Sequence, residues 1–493
     1  MKILIAGVEM APLVKVGGLG DVLGALPHAL VRRGHDVTVI LPGFRSALEK
    51  VETVDRGMLD VRTGSGESIP TQLLECQVSS SRADGQTVRV LLVDQPWYFD
   101  RGAVYVDPNT GEASADDHER WFAFCASIAP ACEKLDWVPD VIHANDSHVG
   151  PYCAAHVLRP RPSLRRTGLL FSIHNLAFQG WYEADAMRFG GWDPNWHQDV
   201  NDPLEYRGGT NFMKMGIALS DLISTVSERY AFEICTDSAL GCGLEGLLGA
   251  RRGDVRGVLN GIDVDTWNPA TDPHLTANYD VDDLSGKEAC RKALLEEAGL
   301  EPVSKRTLVF GWVSRLTLQK GVDLLLGAAD HILNDDIRLV VLGSGVREYE
   351  VGLRALAARY PKRVRVFTGF DEALAHRIEA GSDVFLMPSR YEPCGLNQMY
   401  SMRYGTVPVV RWTGGLVDTV DSFDPWTRAG CGFHFTDLSA DGLLDAVGRA
   451  AEACRHPESR SALIRNGMTQ DFSWDRSATC YEALYREILA RHR

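Results

Sequence analysis

The chain has 493 residues, of which 45% are hydrophobic and 24% are charged, and its formal net charge is −15. This length predicts two or three domains, each able to bury a hydrophobic core of its own. The acidic balance argues against nucleic acid or an anionic membrane as the main partner, and no apolar run reaches the roughly 18 residues of a membrane-spanning helix.

The eleven cysteines are scattered along the chain without CxxC pairs or regular spacing. This pattern is typical of reduced thiols and not of a disulfide framework or a zinc site. The chain also passes from Met1 directly into an apolar strand, which leaves no room for a signal peptide. We therefore expect a cytoplasmic protein.

The first half of the chain alternates apolar strands with amphipathic helices. A strand at residues 2–7 precedes a helix from about Gly20 to Arg33, and residues 183–210 lack periodicity and predict long loops. Further strands are predicted at Val37–Leu41, Val88–Val93, Val141–Ile142, Leu169–Ile173 and Leu222–Val226. This alternation favours a parallel sheet that is covered on both faces.

The second half repeats the same alternation. Its predicted strands are Leu308–Val313, Leu339–Leu342, Val364–Phe367, Val384–Met387 and Val407–Val410. We therefore predict an α/β fold of two Rossmann-like, doubly wound domains that face a cleft, with ligands at the carboxyl ends of the strands. The predicted parts are a first domain at 1–256, a hinge linker at 257–270, a second domain at 271–471, and a terminal helix at 472–493 that packs back on the first domain.

A glycine-rich segment follows the first predicted strand and opens the first helix. It contains Lys15, Gly17 and Gly18. Paired glycines let a ligand approach the backbone, the helix N-terminus behind them favours negative charge, and the lysine adds a positive charge. The segment indicates a phosphate site, although its spacing departs from GxGxxG and a simple tight turn is the alternative.

Two further segments follow strands of the second half. Arg315 and Lys320 flank one loop, where two cations suit a diphosphate whose charge grows as a bond breaks; a solvated surface pair is the alternative. In the other, Glu392 precedes Gly395 and Leu396, which are predicted to begin a helix. A carboxylate there could accept sugar hydroxyls while the amides bind phosphate oxygens, and an ordinary helix cap with a salt bridge is the alternative.

Polar clusters also follow two strands of the first half. His143 to His148 form one cluster, and His174 and Asn175 belong to the other. A lone histidine is more often structural than catalytic, but two clusters at neighbouring strand ends favour a site. Neither has metal-ligand spacing such as HExxH or CxxC, so we expect no metal and no cofactor.

Taken together, these motifs resemble the bacterial glycogen synthase and plant starch synthase family over nearly the whole chain. They are Lys15-x-Gly-Gly-Leu, Asn260-Gly261-Ile262-Asp263 with Trp267-Asn268-Pro269, Gln319-Lys320-Gly321, Met387-Pro388-Ser389-Arg390, Glu392-Pro393-Cys394-Gly395-Leu396 and Thr413-Gly414-Gly415-Leu416. The resemblance implies the GT-B architecture and a retaining hexosyltransferase of glycogen biosynthesis. Such an enzyme transfers glucose from ADP-glucose to the non-reducing end of an α-1,4-glucan, either glycogen or a maltooligosaccharide, and releases ADP.

The resemblance also implies roles for five catalytic residues. Arg315 and Lys320 would hold the leaving diphosphate, and Glu392 would bind glucose hydroxyls and balance charge near the anomeric carbon. His174 would hold the 6-hydroxyl, with its own backbone carbonyl close to the reacting carbon. Asp146 matches an aspartate that the family needs for activity, and its role is left open.

A larger set of residues is expected to contact the donor, with Phe370 placed against the adenine ring. The set is Lys15, Gly17, Gly18, Asn175, Phe370, Cys394, Gly395, Leu396, Thr413 and Gly414. Trp97 and Tyr98 fall in the segment that resembles the acceptor-side aromatic loop of the family and are expected to bind the acceptor.

The chain departs from the family pattern at Ser147, where the family usually has tryptophan, which puts the acceptor-length preference in question. Two alternative functions stay open at this point. One is a retaining glucosyltransferase of the same architecture that uses UDP-glucose. The other is a glucan-binding or priming protein with weak catalysis. The sequence does not predict the oligomeric state.

Overall fold

The computed structural model describes residues 1–80, 82, 85–106, 112–193, 202–301, 304 and 306–492. The chain divides into two compact units. The first consists of Met1–Gly261 together with Trp474–Arg493, and the second consists of Ile262–Ser473. The divisions therefore fall after Gly261 and after Ser473, where the sequence predicted a linker at 257–270 and a terminal helix from 472.

The first unit contains eleven strands among its described residues. They are β1 (Lys2–Ala6), β2 (Asp36–Pro42), β3 (Val54–Met58), β4 (Gln72–Ser79), β5 (Thr87–Asp94), β6 (Val141–Asn145), β7 (Gly168–Ile173), β8 (Trp181–Glu183), β9 (Gly209–Asn211), β10 (Leu222–Thr225) and β11 (Val255–Gly257). The main sheet has the order β11-β10-β7-β6-β1-β2-β5-β4-β3, and β8 pairs separately with β9. Its central strands β1, β6 and β7 are almost entirely buried, as expected of strands with helices on both faces.

The helices of the first unit connect and cover these strands. They are α1 (Gly18–Arg32), α2 (Arg45–Leu48), α3 (Pro96–Phe99), α4 (Asp117–Lys134), α5 (Gly150–Leu158), α6 (Phe212–Leu219), α7 (Glu228–Thr236), α8 (Ser238–Gly241) and α9 (Glu245–Ala250). Short 3₁₀ helices occur at Ser147–Val149, Pro162–Leu164 and Ala184–Arg188.

The second unit contains a parallel sheet of six strands among the described residues. They are β12 (Leu308–Val313), β13 (Ile337–Gly343), β14 (Val364–Thr368), β15 (Val384–Met387), β16 (Val407–Arg411) and β17 (Phe433–Phe435), in the order β14-β13-β12-β15-β16-β17. The helices are α10 (Ser285–Ala298), α11 (Val322–Ile332), α12 (Arg347–Arg359), α13 (Glu372–Gly381), α14 (Asn397–Arg403), α15 (Gly414–Thr419), α16 (Ala440–Arg455) and α17 (Pro457–Met468), with a 3₁₀ turn at Leu318–Lys320.

The last helix, α18 (Trp474–Arg491), belongs to the first unit and packs against α1 and β7. Ion pairs hold it there, because Arg32 lies 2.8 Å from Asp475 and Arg33 lies 2.5 Å from Glu482. The Tyr485 hydroxyl also reaches Nδ1 of the buried His143 at 2.9 Å. None of the helices in the described residues is long and apolar enough to cross a membrane.

The α/β class predicted from the sequence is confirmed, with one difference at the edge of the first sheet. There β3 and β4 pair antiparallel with each other, and β4 pairs antiparallel with β5. Within 183–210, which was predicted as long loops, the structure forms a 3₁₀ helix at Ala184–Arg188 and begins β9 at Gly209. Residues 194–201 of that segment lie outside the described residues.

Candidate active site

The strand order reverses at one point in each sheet, between β1 and β6 in the first unit and between β12 and β15 in the second. Doubly wound sheets bind ligands beyond the carboxyl ends of the strands at such points. The glycine-rich segment follows β1 and Asp146 follows β6, while Arg315 follows β12 and Glu392 follows β15. The topology thus places these sequence-predicted residues at the expected edge of each sheet.

The glycine-rich segment is held by a carboxylate that the sequence analysis did not identify. Glu9 is 2% exposed, and its Oε2 accepts hydrogen bonds from the backbone N–H groups of Val16 at 2.6 Å and Gly17 at 2.8 Å. The N–H of Gly17 is therefore engaged within the protein. A Cβ added at Gly18 would meet no atom within 4 Å, so the backbone at Gly18 is open to a ligand.

Lys15 precedes α1 by three residues and is exposed. Its Nζ lies 2.7 Å from Oδ1 of Asp21 in the first turn of that helix. Because both side chains keep access to solvent, an incoming phosphate could replace Asp21 as the partner of the lysine. The arrangement gives one full positive charge beside a helix N-terminus, which suits an anion.

Tyr105 contacts the carboxylate that holds this segment. Its hydroxyl donates a short hydrogen bond to Oε1 of Glu9, and its ring lies 5.1 Å from the ring of His148. Burial, with the charge of Glu9 as the next cause, raises the pKa of Tyr105 well above its usual value. Tyr98 is only 6% exposed and packs edge-on against Phe189.

Asp146 braces the backbone of the neighbouring loop after β7. Its φ of 59° lies in the left-handed region, and its Oδ1 accepts the backbone N–H of His174 at 2.8 Å. Burial raises the pKa of Asp146 to about 7, against the lowering effect of hydrogen bonds from the backbone N–H groups of His174 and Asn175. The adjacent Ser147 is 3% exposed, so the position where the family usually has tryptophan is interior in this chain.

The ring of His174 is fixed by Asn145. The side-chain Nδ2 of Asn145 donates to the carbonyls of Ala6 and His143, which leaves its Oδ1 to face Nε2 of His174 at 2.9 Å. Burial lowers the pKa of His174 to about 4, so the ring is neutral at pH 7. Nε2 must then carry the proton, and Nδ1 is an acceptor for a ligand hydroxyl.

In the second unit, Lys320 and Glu392 meet. Nζ of Lys320 lies 2.6 Å from Oε2 of Glu392, which also accepts the hydroxyl of Ser389 at 2.8 Å. Glu392 is 6% exposed, and both of its partners contact the same oxygen. The carboxylate is thus oriented by a cation and a hydroxyl, with Oε1 as the oxygen that faces away from them.

Glycines bring the loops around Glu392 together. A Cβ at Gly414 would lie 1.9 Å from the carbonyl oxygen of Glu392, and one at Gly415 would lie 2.2 Å from the carbonyl oxygen of Cys394. A Cβ at Gly321 would lie 2.0 Å from the carbonyl oxygen of Pro388. Close backbone approach therefore requires glycine at each of these positions.

The remaining residues of the second unit that are expected to bind the nucleotide sugar differ in solvent exposure. Arg315 is exposed after β12, and Phe370 is 86% exposed after β14, so its ring is open to stacking. Thr413 and Cys394 are 1% and 6% exposed and support the loops, while Gly395 and Leu396 precede α14. In the first unit, Asn175 is partly exposed and its side chain accepts the N–H of Ala177.

Comparisons with known proteins match this chain over nearly its whole length. The family model for the starch synthase catalytic domain matches residues 2–250, and that for glycosyl transferases group 1 matches residues 298–470. The glycogen synthase of Myxococcus xanthus is 44% identical over 99% of this chain and 100% of its own length. That of Thermotoga petrophila is 41% identical over 100% of this chain and 99% of its own.

Solved structures of similar proteins also match this chain over nearly its whole length. The catalytic domain of starch synthase IV from Arabidopsis thaliana, bound to ADP and acarbose, matches with a TM-score of 0.88 and 33% identity over 99% of both chains. Sucrose-phosphate synthase from Thermosynechococcus elongatus, at 16% identity and a TM-score of 0.60 over 99% of both chains, shares the fold alone. The expected GT-B architecture is confirmed, and the chain belongs to the glycogen synthase and starch synthase family of glucosyltransferases.

Proposed function

We propose that this enzyme transfers glucose from ADP-glucose to the non-reducing end of an α-1,4-glucan, with retention of configuration and release of ADP. Relatives named glycogen synthase align with it from end to end, and the similar starch synthase structure contains ADP. The observation in this chain that carries the proposal is the contact of Lys320 with Glu392, a cation and a carboxylate oriented together after neighbouring strands.

The second unit supplies the groups that bind the donor and stabilise its leaving group. Lys320 and the exposed Arg315 offer two positive charges to the diphosphate as the glycosidic bond breaks. Glu392 accepts glucose hydroxyls through Oε1, because Oε2 is already engaged by Lys320 and Ser389. Phe370 stacks on the adenine ring, which binds a base without selecting it strongly.

The first unit carries groups of its own that suit a nucleotide sugar. Lys15 and the open backbone at Gly18 contact the phosphates, and Nδ1 of His174 accepts the 6-hydroxyl of the glucose. Asp146 serves as a positioning residue, because its carboxylate holds the backbone N–H of His174. Its side chain thereby sets the position of the His174 carbonyl, which we place near the anomeric carbon.

We propose a transfer without a covalent intermediate on the enzyme. A double displacement requires a carboxylate that is free to attack the anomeric carbon. Oδ1 of Asp146 is engaged by the backbone N–H of His174, and Oε1 of Glu392, the oxygen left by Lys320 and Ser389, is assigned to the glucose hydroxyls. Instead, the bond from the anomeric carbon to the phosphate oxygen breaks while the acceptor hydroxyl attacks from the same face. The hydroxyl proton passes to the departing phosphate, so ADP leaves with it.

We also propose that the enzyme acts in the cytoplasm. All eleven cysteines are free thiols, and eight of them are buried. Free thiols in this number persist most readily in a reducing compartment.

The test is incorporation of radiolabelled glucose into glycogen from ADP-glucose and from UDP-glucose. Wild type should use ADP-glucose, and Glu392→Gln should lose activity by about a hundredfold or more, since the amide cannot pair with Lys320. Glu348→Gln makes the same change at an exposed position of α12 and should keep wild-type activity. Activity with UDP-glucose alone would overturn the assignment of ADP-glucose as the donor. No incorporation from either nucleotide sugar would favour a glucan-binding protein.

A further inference from the structure

Trp267 has no role in the proposed mechanism, although it belongs to the motif Trp267-Asn268-Pro269. Its indole stacks on His376 of α13 and on Tyr400 of α14, with ring centroids 3.7 Å apart in both pairs and interplanar angles of 13° and 10°. Two parallel rings at this distance must lie on opposite faces of the indole, since they would otherwise overlap. Trp267 therefore joins α13 to α14.

The partners of Trp267 are themselves held by hydrogen bonds. Oδ2 of Asp272 accepts the Nδ1–H of His376 at 2.7 Å and the hydroxyl of Tyr404 at 2.5 Å, and these three residues are at most 1% exposed. Arg403, the last residue of α14, donates to the backbone carbonyl of Trp267 at 3.4 Å. The stack is thus fixed both at its rings and at the backbone of the tryptophan.

The two helices that Trp267 joins flank the loop that carries Glu392. Residues 382–383 connect α13 to β15, and the loop 388–396 then leads from β15 through Glu392 to α14. Both ends of this loop therefore continue into elements that the indole holds together. A shift of either helix would displace the Glu392 carboxylate.

The loop is also hydrogen-bonded to α14 directly. Gln398 lies in the first turn of α14, and its Nε2 donates to the carbonyl oxygens of Cys394 at 3.1 Å and Gly395 at 3.0 Å. Tyr400 follows within the same helix, which is only about 10 Å long and so moves as one body. A change in the contact of Tyr400 with the indole is therefore passed on to the loop.

We propose that Trp267 is a positioning residue for glucosyl transfer, because it keeps α13 and α14 at the spacing that places Glu392 against the donor sugar. The inference rests on the proposed function for the role of Glu392. Trp267 is partly exposed and packs on a small cluster around Tyr279 and Ile464, apart from the larger core of the second unit. Loss of the indole should therefore leave the sheet folded and act mainly on catalysis.

The test is kcat/KM for the nucleotide sugar that wild type uses, with glycogen as the acceptor and with correction for the folded fraction. Trp267→Ala should lower kcat/KM about tenfold to a hundredfold, because a small displacement of a reacting group is that costly. Trp267→Phe keeps a ring between His376 and Tyr400 and should restore most of the wild-type value. Trp267→Leu keeps apolar bulk without a ring and should show the loss even if the alanine variant does not fold.

The matched control is Leu284→Ala. It removes an apolar side chain that packs on the same small cluster but is not part of the stack. This variant should have a lower unfolding temperature than wild type, as Trp267→Ala should, but it should keep the wild-type kcat/KM.

A double variant separates positioning from loss of stability. If Trp267 acts through Glu392, adding Trp267→Ala to Glu392→Gln should lower kcat/KM by less than about twofold beyond Glu392→Gln alone, because the interaction is already lost. Independent effects of the two substitutions would multiply.

The inference is overturned if both Trp267→Ala and Trp267→Leu keep the wild-type kcat/KM, if Leu284→Ala lowers it equally, or if the effects in the double variant multiply. Each of these outcomes leaves the proposed function intact, because wild type transfers glucose in all of them. No transfer by wild type from either nucleotide sugar would reject the proposed function, and the inference with it, since no reaction is left for Trp267 to support.

Discussion

The Glu9 carboxylate accepts the backbone N–H of Gly17 at 2.8 Å, so an acidic side chain shapes the very loop that the sequence marks as a phosphate site. The same oxygen accepts the N–H of Val16, and the other oxygen accepts the hydroxyl of Tyr105. A buried carboxylate with three donors is well compensated for its lost hydration. Its function is thus to fix the loop and to leave Gly18 and Lys15 for the ligand.

Replacing Glu9 with alanine should therefore disorder the loop. Two backbone donors lose their partner, which costs about 2 kcal/mol in the free energy of unfolding. The kcat/KM for ADP-glucose should fall about a hundredfold, because the phosphate contacts of Lys15 and Gly18 depend on the loop. Glu9→Gln keeps one oxygen for the two N–H groups and should retain more activity. Equal activity of wild type and Glu9→Ala would show that the loop forms without the carboxylate.

The hydroxyl of Ser389 should matter for the chemical step through Glu392. Ser389→Ala removes one of the two donors to Oε2 and leaves only Lys320, so we expect kcat to fall about tenfold with little change in the KM for ADP-glucose. Ser382→Ala is the control, since it removes a hydroxyl that is also buried but has no hydrogen-bond partner in the described structure. A similar kcat for the two variants would mean that Ser389 does not orient the carboxylate.

Some parts of the fold could be predicted to the residue and others could not. The bounds of β12 and β15 agree with those predicted, because each is a short apolar run buried on both faces. The edge strand β3 was missed because its residues are mostly exposed, so its pairing with β4 leaves little hydrophobic pattern. β17 has only three residues and was missed for its length.

The residues of the candidate site also differ in whether the sequence could predict them. Motif residues such as Lys320 and Glu392 could be identified because each follows a recognisable strand. Glu9 belongs to no such pattern, because its role consists of contacts with backbone N–H groups that only the folded loop presents. Tyr105 is separated from Glu9 by 96 residues, and no local sequence signal connects them.

The stability of the protein should show a pH dependence that comes from Asp146. Its pKa is about 7 in the folded protein, against 3.8 as the ordinary value, chiefly because of burial. Between about pH 4 and pH 7 the folded state holds this proton more strongly than the unfolded state, so the stabilisation from this group is lost as pH rises through 7.

Asp146→Asn removes this titration and keeps the size and shape of the side chain. The unfolding temperature of the variant minus that of wild type should therefore be higher at pH 8 than at pH 5, as measured by thermal unfolding in matched buffers. A difference that stays constant over this range would show that the carboxyl has the same pKa in both states.

His174 should recognise the 6-hydroxyl of the donor glucose through Nδ1. Wild type should then prefer ADP-glucose over its 6-deoxy analogue by about tenfold or more in kcat/KM, since the analogue leaves this acceptor without a partner. In His174→Ala the preference should nearly vanish, although both donors react more slowly. Preservation of the wild-type preference in the variant would assign the 6-hydroxyl to another residue. Because the pKa of His174 is lowered to about 4, the preference should not change between pH 6 and pH 8.

The contact between Gly414 and Glu392 should tolerate no side chain. Gly414 has a φ of 46°, and a Cβ there would lie 1.9 Å from the Glu392 carbonyl oxygen. Gly414→Ala must therefore displace one of the two loops, so we expect a loss of about 2 kcal/mol in the free energy of unfolding and of about a hundredfold in kcat/KM.

The matched control for this change is Gly448→Ala in α16, where an added Cβ meets nothing within 4 Å. That substitution should raise the free energy of unfolding by about 0.5–1 kcal/mol, because alanine loses less conformational entropy in a helix, and it should leave the kinetics unchanged. Chemical denaturation measures the free energy of unfolding of both variants, and kinetics with ADP-glucose measure their kcat/KM. Wild-type kinetics in Gly414→Ala would mean that the position of the Glu392 loop is not set by this contact.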